Sequence, residues 1–485
     1  MKRVIFIVVL MTVLMACKRE PTNNFPPDNR GVELTSTNLP IVWIEVKGRT
    51  IDRFERINAH MKIIDNGKGK LNYADLKEHP GQRIDYEGYI ALRYRGNSTF
   101  NDSPKKPFSF HTLDGPIKYA SKQKVKILGM GKDYNWALLA PYSDKSMMRD
   151  LLAFEISRPW MEYTPKGRYC EVFLDGTYYG VYILCEVVSE GKHRLNLAKP
   201  RKSGFELTGD YLIEVDYNDN VHYRSKHHPV DSKGNALTDR FIHFQYKSPK
   251  YDDLNEAQLL YINRRIDAME QALASPQFRD PERGYRRYID VMSFIDYQIA
   301  MELGHSIDGY RKSGKLYKRR DNVDQRFKTV VWDMNLAYGN CKLREGWRTD
   351  GWIYQSNDLL YAEGEDFLIP FWWTRLNSDE TYQTMLRELW AQYRNSTLTD
   401  DGVMAIIDSL ANELKAQGAI DRNSKAWPRW GVYVWPNHYI SKDFDDEVSF
   451  LKQWLRERIA WMDEQLGFTK SEPEMKTDSS NQQKF

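Results

Sequence analysis

The chain has 485 residues, a length that favours two lobes or domains over one small core. Charged residues make up 28% of the chain, but the formal net charge is only +3, so there is no excess of positive charge of the kind that nucleic-acid binding requires. Aromatic residues reach 13%, which suits sugar-stacking surfaces but more often reflects filled cores.

Residues 1–16 have the pattern of a lipoprotein signal peptide. A basic start is followed by an apolar run too short to span a bilayer comfortably, and the run ends in LMAC at Cys17. This ending resembles the lipobox of bacterial lipoproteins; the alternative is an ordinary secretory signal with an incidental cysteine. We expect lipidation of Cys17, a polar tether over 17–39 and an exported, membrane-anchored protein facing the periplasm or the cell surface.

Residues 40–204 are predicted to form a β-rich lobe. A helix is predicted over Lys145–Arg158, with Ser143 and Asp144 as its cap, because an apolar stripe follows these polar residues and Pro159 ends the run. Alternation of apolar and polar residues, together with turn signals, predicts strands over Pro40–Val46, Tyr89–Tyr94, Phe108–Phe110, Asn135–Leu139, Tyr169–Leu174 and Tyr179–Glu186.

The remaining cysteines, Cys170, Cys185 and Cys341, show no metal-ligand spacing. With a two-residue turn between the last two strands, Cys170 would pair with Val181. The thiols of Cys170 and Cys185 would then share one face but lie roughly 13 Å apart, too far for a disulfide. Buried free thiols are therefore expected.

Residues 205–467 are predicted to form a mainly helical lobe, and 468–485 a disordered tail. The lobe begins with a buried-type strand over Tyr211–Val215, in which Glu214 fits the polar alternate position better than a functional role. Apolar stripes then predict helices beginning after Asp253, near Met292 and Ser378, and over Asp401–Gln417 and Asp445–Leu466.

A β-hairpin is predicted inside the segment 305–339. Its strands are Leu316–Lys318 and Phe327–Trp332, joined by the polar turn RRDNVDQ. If Arg320 pairs with Gln325, the antiparallel register places residue 333 opposite residue 312.

This register brings two acids to one site. Asp333 lies opposite Lys312, and Asp308 lies about four residues further along, with Ser313 beside them. Such a set suits a divalent metal and a phosphate chain, whereas a surface hairpin with solvated acids is the alternative.

Cations that suit phosphate recognition occur in the β-rich region. The turn that begins at Arg95 and the pair Lys105-Lys106 combine positive side chains with glycine-adjacent backbone N–H groups, although any polar turn can look similar. Glu186, at a strand end, either fixes a lysine by an ion pair or is an exposed strand end. A β-rich lobe followed by a helical lobe with two acids is the order of parts in protein kinases, but the GxGxxG, HRD and DFG motifs are absent.

Four runs in this order resemble the CotH (spore-coat protein H-like) kinase family. They are RGNST…KKPFSF, LLAPYSDKSMMRDLLAFEIS, VFLDGTYYGVYILCE and SIDGYRKSGKLYK…VVWDMNLAYG. The resemblance implies an α+β, atypical protein-kinase-like fold of two lobes that binds ATP and Mg²⁺ or Mn²⁺. It also implies transfer of the γ-phosphate to Ser or Thr side chains of exported or surface proteins.

The resemblance also implies roles for individual residues. Asp308 matches the essential acid of the catalytic segment, and Asp333 matches the metal-binding acid of the W-D-F-D motif. Lys105 and Lys106 fall where the family places its nucleotide-contacting lysine, with Lys106 preferred, and Glu186 matches the strand-end glutamate. Arg95 and Ser313 complete the expected nucleotide site.

Two positions depart from the pattern. Asn335 replaces the second acid of W-D-F-D, so the metal would meet less negative charge. Ser313 stands where protein kinases carry asparagine and can still offer an oxygen. A catalytically inactive surface lipoprotein that binds a glycan or a partner protein is therefore the alternative, with Trp347, Trp352, Trp372 and Trp373 as its candidate contacts. The acceptor protein and the oligomeric state stay open.

Overall fold

The computed structural model describes residues 27–116, 120–216 and 221–470. The predicted signal peptide, Cys17, residues 18–26 of the tether and residues 471–485 of the tail lie outside the described residues. Within the described part, none of the helices combines the length and apolar character needed to cross a bilayer.

The strands of the described chain are, in order, β1 (Ser36–Thr37), β2 (Ile41–Glu45), β3 (Ile57–Ile64), β4 (Asn72–Tyr73), β5 (Ile84–Tyr94), β6 (Phe108–Leu113), β7 (Asn135–Leu139), β8 (Gly167–Leu174), β9 (Thr177–Glu186), β10 (Tyr211–Val215), β11 (Tyr223–Arg224), β12 (His243–Ser248), β13 (Gly314–Lys318) and β14 (Lys328–Val330).

The α-helices are α1 (Ser98–Asn101), α2 (Arg149–Ser157), α3 (Glu256–Ala274), α4 (Val291–Leu303), α5 (Asn357–Ala362), α6 (Phe371–Asn377), α7 (Glu380–Arg394), α8 (Asp400–Lys415), α9 (Ala419–Ala426) and α10 (Phe444–Leu466). Short 3-10 helices cover Phe205–Thr208, Tyr251–Asp253, Tyr285–Arg287, Leu343–Glu345 and Ile353–Gln355.

Seven strands close into a barrel in the order β2-β3-β5-β6-β7-β9-β8. All neighbours are antiparallel except β2 and β8, which run parallel. Period-two alternation fills the interior: Leu92, Phe108 and Phe110 point inward, whereas Arg93 lies on the outer face of β5. The barrel therefore buries the inner side of its strands, and the outer side of β5 and β6 lines the cavity described below.

The β8–β9 hairpin contains an irregularity that the sequence analysis missed. A bulge after Val172 shifts the register, so that Cys170 pairs with Tyr182 rather than with Val181. The thiols of Cys170 and Cys185 consequently lie on opposite faces of the sheet, in different apolar clusters. Both are buried and free, as predicted, but the prediction of a shared face was wrong.

A five-stranded sheet with the order β11-β12-β10-β13-β14 follows the barrel in the chain. The β13–β14 ladder pairs Lys315 with Val330, Leu316 with Thr329 and Tyr317 with Lys328. This is the register that was predicted from Arg320 opposite Gln325. The hairpin therefore delivers its two ends to the same place.

The helices pack into one large apolar core together with the outer face of β8 and β9. The side chains of Asn255, Asp290, Asp379, Thr399 and Asp443 cap α3, α4, α7, α8 and α10 by accepting backbone N–H bonds. The result is a mixed α+β fold.

Helix α2 begins four residues later than predicted. Asp144 accepts hydrogen bonds from the backbone N–H groups of Ser146 and Arg149, at 3.1 and 2.9 Å, and pairs with the Arg149 side chain. These bonds hold residues 144–148 in a loop, so the first turn starts at Arg149. The shift places Asp150 near the N-terminus of the helix.

Candidate active site

A cavity of about 1220 Å³ brings the two predicted acids together. Its walls come from the barrel, represented by Arg95, from α2, represented by Asp150, and from the two ends of the β13–β14 hairpin, which carry Asp308 and Asp333. Ser313 also lines it, so residues far apart in sequence meet at one site.

Asp308 is held by a buried cation. The Nη2 of Arg311 donates to its Oδ1 at 2.8 Å, while the Nη1 of Arg311 donates to Glu365 at 2.6 Å. The Arg311 side chain is fully buried, whereas 29% of the Asp308 side chain remains exposed. Lys312 lies 3.7 Å from the same oxygen. A rigid guanidinium thus fixes a carboxylate that still faces the cavity.

Asp333 is exposed to the cavity and has a left-handed backbone, with φ of 62°. Its Oδ2 accepts a hydrogen bond from the Ser313 hydroxyl at 3.0 Å. Desolvation raises the pKa of Asp333, with a further contribution from Asp308, while Ser313 and Arg95 act in the opposite direction. A cation at this carboxylate would relieve that shift.

Asp150 is a third acid of the site, and the sequence analysis missed it. Its Oδ1 accepts the backbone N–H of Met334 at 2.8 Å, which places it beside Asp333. Desolvation, followed by the charge of Asp333, raises the pKa of Asp150 to about 7. The run SDKSMMRD contains this acid, but its helical pattern alone gives no reason to separate it from a solvated residue.

Two cations flank Trp332 next to the acids. The guanidinium carbon of Arg95 lies 5.2 Å from the ring centroid of Trp332, and the Nζ of Lys315 lies 5.9 Å from it. The Nη1 of Arg95 is buried and has no hydrogen-bond partner among the described residues. Lys315 also pairs with Glu214, which makes Glu214 part of the cavity wall rather than a plain strand position. Arg95 and Lys315 therefore place positive charge beside the acids, where an anionic ligand would be stabilised.

Lys105 and Lys106 do not join these residues. Lys105 is fully buried and donates to the Val181 carbonyl and, at 2.8 Å, to Asn423 Oδ1. Burial holds the pKa of Lys105 well below its usual range. The Nζ of Lys106 donates to the Phe100 carbonyl and lies 4.8 Å from the Phe100 ring. Both lysines lie outside the cavity lining.

Glu186 is also separate from the acids. It is 1% exposed, and its Oε1 pairs with Arg194 at 2.9 Å. Its Oε2 accepts from the Tyr163 hydroxyl and from the Lys166 backbone at 3.2 Å each. The expectation of an ion pair with a lysine or of an exposed strand end was wrong, because a buried arginine satisfies this carboxylate.

The tryptophans proposed as glycan contacts divide into two groups. Trp372 and Trp373 are 1% and 2% exposed and belong to the main core, which removes them as surface contacts. Trp352 packs against Trp461 with ring centroids 4.7 Å apart. Trp347 is 42% exposed, but one face stacks on His438.

The cavity fits a metal together with phosphates better than a metal alone. In the described ranges, no group of three or more His, Cys, Asp or Glu side chains is arranged to hold a metal ion. Mg²⁺ typically takes one or two carboxylates and completes its shell with phosphate oxygens and water. Asp308 and Asp333 line the cavity together with the oxygen-bearing side chains of Ser313 and Asn335, and these four would hold a metal of this kind, while Arg95 would donate to a phosphate.

The family model described as CotH kinase protein matches residues 92–462. The match includes the barrel strands from β6 onward, the acids of the cavity and the helices up to most of α10. No curated protein shows significant similarity to the chain.

Proposed function

The chain belongs to the CotH kinase family, and we propose that it is an ATP- and Mg²⁺-dependent kinase that phosphorylates Ser or Thr side chains of exported or surface proteins. One observation carries the proposal: Asp308, Asp333 and Arg95 line one cavity. Acids for a metal beside cations for phosphates are the parts that phosphoryl transfer requires. A two-lobed arrangement, with the cavity between lobes, belongs to the same proposal.

Asp308 is assigned to the acceptor hydroxyl. Arg311 binds its Oδ1, so Oδ2 is the oxygen that we assign to orienting the hydroxyl and receiving its proton. The hydroxyl oxygen forms a bond to the γ-phosphorus, the bond from that phosphorus to the β–γ bridging oxygen breaks, and ADP leaves with the electron pair. Arg311 keeps the carboxylate in place during transfer, because it is itself fixed by Glu365.

Asp333 and Asn335, with Asp308, are assigned to the metal, and Ser313 orients Asp333. When bound, Mg²⁺ or Mn²⁺ neutralises phosphate charge and polarises the phosphoryl oxygens. Asp150 supplies a carboxylate next to Met334, where Asn335 lacks one, and so offsets the missing acid of the motif. Arg95 and Lys315 are assigned to the phosphates.

Radiolabelled transfer from [γ-³²P]ATP by the full chain tests this function. We expect labelling of protein substrate or of the chain itself that requires Mg²⁺ or Mn²⁺. Asp308→Asn and Asp333→Asn should each lower the rate at least about a hundredfold. Asp366→Asn, an exposed acid outside the cavity lining, is the matched control.

A thermal-shift titration with ATP separates binding from turnover, because a ligand of the folded state raises its stability. A shift without transfer would identify the inactive alternative. Neither shift nor transfer at millimolar nucleotide would refute the kinase assignment.

Lipidation of Cys17, with anchoring to a membrane, is part of the proposal and depends on the LMAC sequence. Mass spectrometry of the mature chain should find acyl groups on an N-terminal cysteine. Cys17→Ser should release the protein from the membrane fraction, whereas Cys341→Ser, a buried thiol, should leave it attached.

A further inference from the structure

A row of positive side chains continues along the cavity wall beyond Arg95. We call Arg56, Arg93, Lys122 and Lys250 the basic strip; all four line the cavity. Side chains two residues apart on a strand share a face at about 7 Å, so the strip begins one such step from Arg95.

Strand geometry explains the position of the strip. In the β5–β6 ladder Arg93 pairs with Ser109, and Ala91 pairs with His111. Leu92 fills the barrel interior, so Arg93, Ser109 and His111 point outward into the cavity.

Hydrogen bonds to neutral groups hold two of these cations, Arg56 and Arg93. Arg56 donates to the carbonyls of Ala91 and Ser109 at 3.0 and 2.8 Å and to Ser109 Oγ at 2.9 Å. Arg93 donates to the Phe54 carbonyl, while its Nε is buried without a hydrogen-bond partner among the described residues. Among the described residues, no carboxylate forms an ion pair with a member of the strip. Arg56 and Arg93 are thus held in place, and the negative charges of Asp52 and Glu190 offset only part of the positive charge at Arg93 and Lys122.

The strip members repel one another. Desolvation, then Arg93 and Arg95, lower the pKa of Arg56 to about 9. Desolvation, then Lys250 and Arg56, lower the pKa of Lys122. An anion bound here would remove this electrostatic cost.

The nucleotide does not account for the strip. Arg95, beside Asp333, and Lys315 already serve the phosphates, and ligand sites typically occupy about 300–1,000 Å³. A cavity of about 1220 Å³ therefore leaves room for part of a second substrate.

We propose that the basic strip binds the acceptor, and that the acceptor is an extended acidic protein segment with Asp or Glu near its Ser or Thr. This inference rests on the proposed function, since it specifies the second substrate of the same site. Alternate side chains of an extended peptide project to the same side at intervals of about 7 Å, so one segment can present several carboxylates to neighbouring cations. Such a peptide can match carboxylates to the strip while its hydroxyl approaches Asp308.

Peptide binding without nucleotide tests the inference independently of catalysis. The probes are two fluorescent serine peptides, one with Glu and one with Lys at alternate positions. The full chain should bind the Glu peptide at least about tenfold more tightly, and less tightly as salt is added. The double change Lys122→Glu and Lys250→Glu alters two exposed side chains and should weaken Glu-peptide binding about tenfold or more.

The double change Lys68→Glu and Lys70→Glu, at exposed positions outside the cavity, is the control with the same change in net charge. It should leave peptide binding unchanged, and the ATP-induced thermal shift should be unchanged in both double variants. Four outcomes would each overturn the inference. The first two are equal binding of the two peptides and equal losses of binding in the two double variants. The others are loss of the ATP-induced thermal shift in the Lys122→Glu and Lys250→Glu variant and tighter binding of heparin than of the Glu peptide. Glu-peptide binding without phosphate transfer would support the strip and overturn the proposed function instead.

Discussion

Ser313 and Asp333 both have left-handed backbones, with φ of 56° and 62°, and the Ser313 hydroxyl donates to Asp333 Oδ2 at 3.0 Å. Non-glycine residues rarely adopt this conformation, which costs roughly 1–3 kcal/mol at each position. The two strained residues terminate the opposite ends of the β13–β14 hairpin. In this conformation the Ser313 hydroxyl and the Asp333 carboxylate meet at the cavity that we propose as the metal–nucleotide site.

Ser313→Ala should weaken the metal-dependent response. Because the Ser313 hydrogen bond opposes the rise in the pKa of Asp333, its loss should raise that pKa further. A lost hydrogen bond of about 0.5–1.5 kcal/mol corresponds to roughly 2- to 12-fold weaker Mn²⁺ binding in the presence of ATP. Thermal-shift titrations at several pH values measure the change. In Ser313→Asn, the asparagine tolerates a positive φ and keeps a side-chain oxygen that can coordinate a metal, so this variant should retain most of the response. If Ser313→Ala and Ser313→Asn behaved alike, Ser313 would have no role in metal binding.

The hairpin could be predicted from the sequence because its information is local. Two strand-like runs on either side of a polar turn predict the register, and the observed ladder confirms it. The position of Asp308 relative to Asp333 follows from that register. The strand Tyr211–Val215 was also predicted with its observed bounds, because its buried-type run ends at Asp216.

The missing parts of the site depend on contacts that no local pattern encodes. Asp150 reaches Met334 across 184 positions of sequence, and Arg56 reaches Ser109 across 53. Lys105 carries the right charge for a phosphate, but its direction depends on barrel closure and on Asn423, 318 positions later. The sequence shows which side chains are charged, but it does not show whether a charged side chain of the barrel faces the cavity or packs away from it.

Asp150→Asn should change the pH dependence of stability. The folded-state pKa of about 7 lies above the ordinary value of 3.8, so this carboxyl costs stability as pH rises from about 4 to 7, because the folded form retains its proton longer. The variant lacks that loss and keeps an oxygen that can accept the Met334 N–H. Its melting temperature should therefore rise relative to the unmodified chain between pH 5 and 8.

The same change should reduce metal binding. In the unmodified chain the Mn²⁺-induced thermal shift should grow as pH rises through about 7, because metal and proton compete for the cluster of acids. Asp150→Asn should make the shift smaller and less dependent on pH, whereas Asp366→Asn should not. A variant whose metal response matches the unmodified chain at every pH would exclude Asp150 from the site.

Arg311→Gln should destabilise the fold and misplace Asp308. The change removes the fully buried guanidinium that pairs with Asp308 and Glu365. Glu365 then keeps only its ion pairs with Arg344 and Lys312. Breaking a buried pair by removing one partner typically costs about 3–5 kcal/mol, which urea unfolding would measure. The double change Arg311→Gln with Glu365→Gln should recover part of the stability but not the rate of transfer. Recovery of both would show that Arg311 does not position Asp308.

Lys105→Met and Arg95→Met distinguish one of the two predicted nucleotide lysines from the proposed phosphate donor. Lys105 donates only inside the protein, to Val181 and Asn423, so its replacement should lower stability by about 1–3 kcal/mol yet leave the size of the ATP-induced thermal shift unchanged. Arg95 faces the acids with a buried unsatisfied nitrogen, so its replacement should reduce the ATP shift strongly at similar stability. If Lys105→Met abolished the ATP shift while the chain stayed folded, the nucleotide phosphates would have to lie on the other side of the barrel wall.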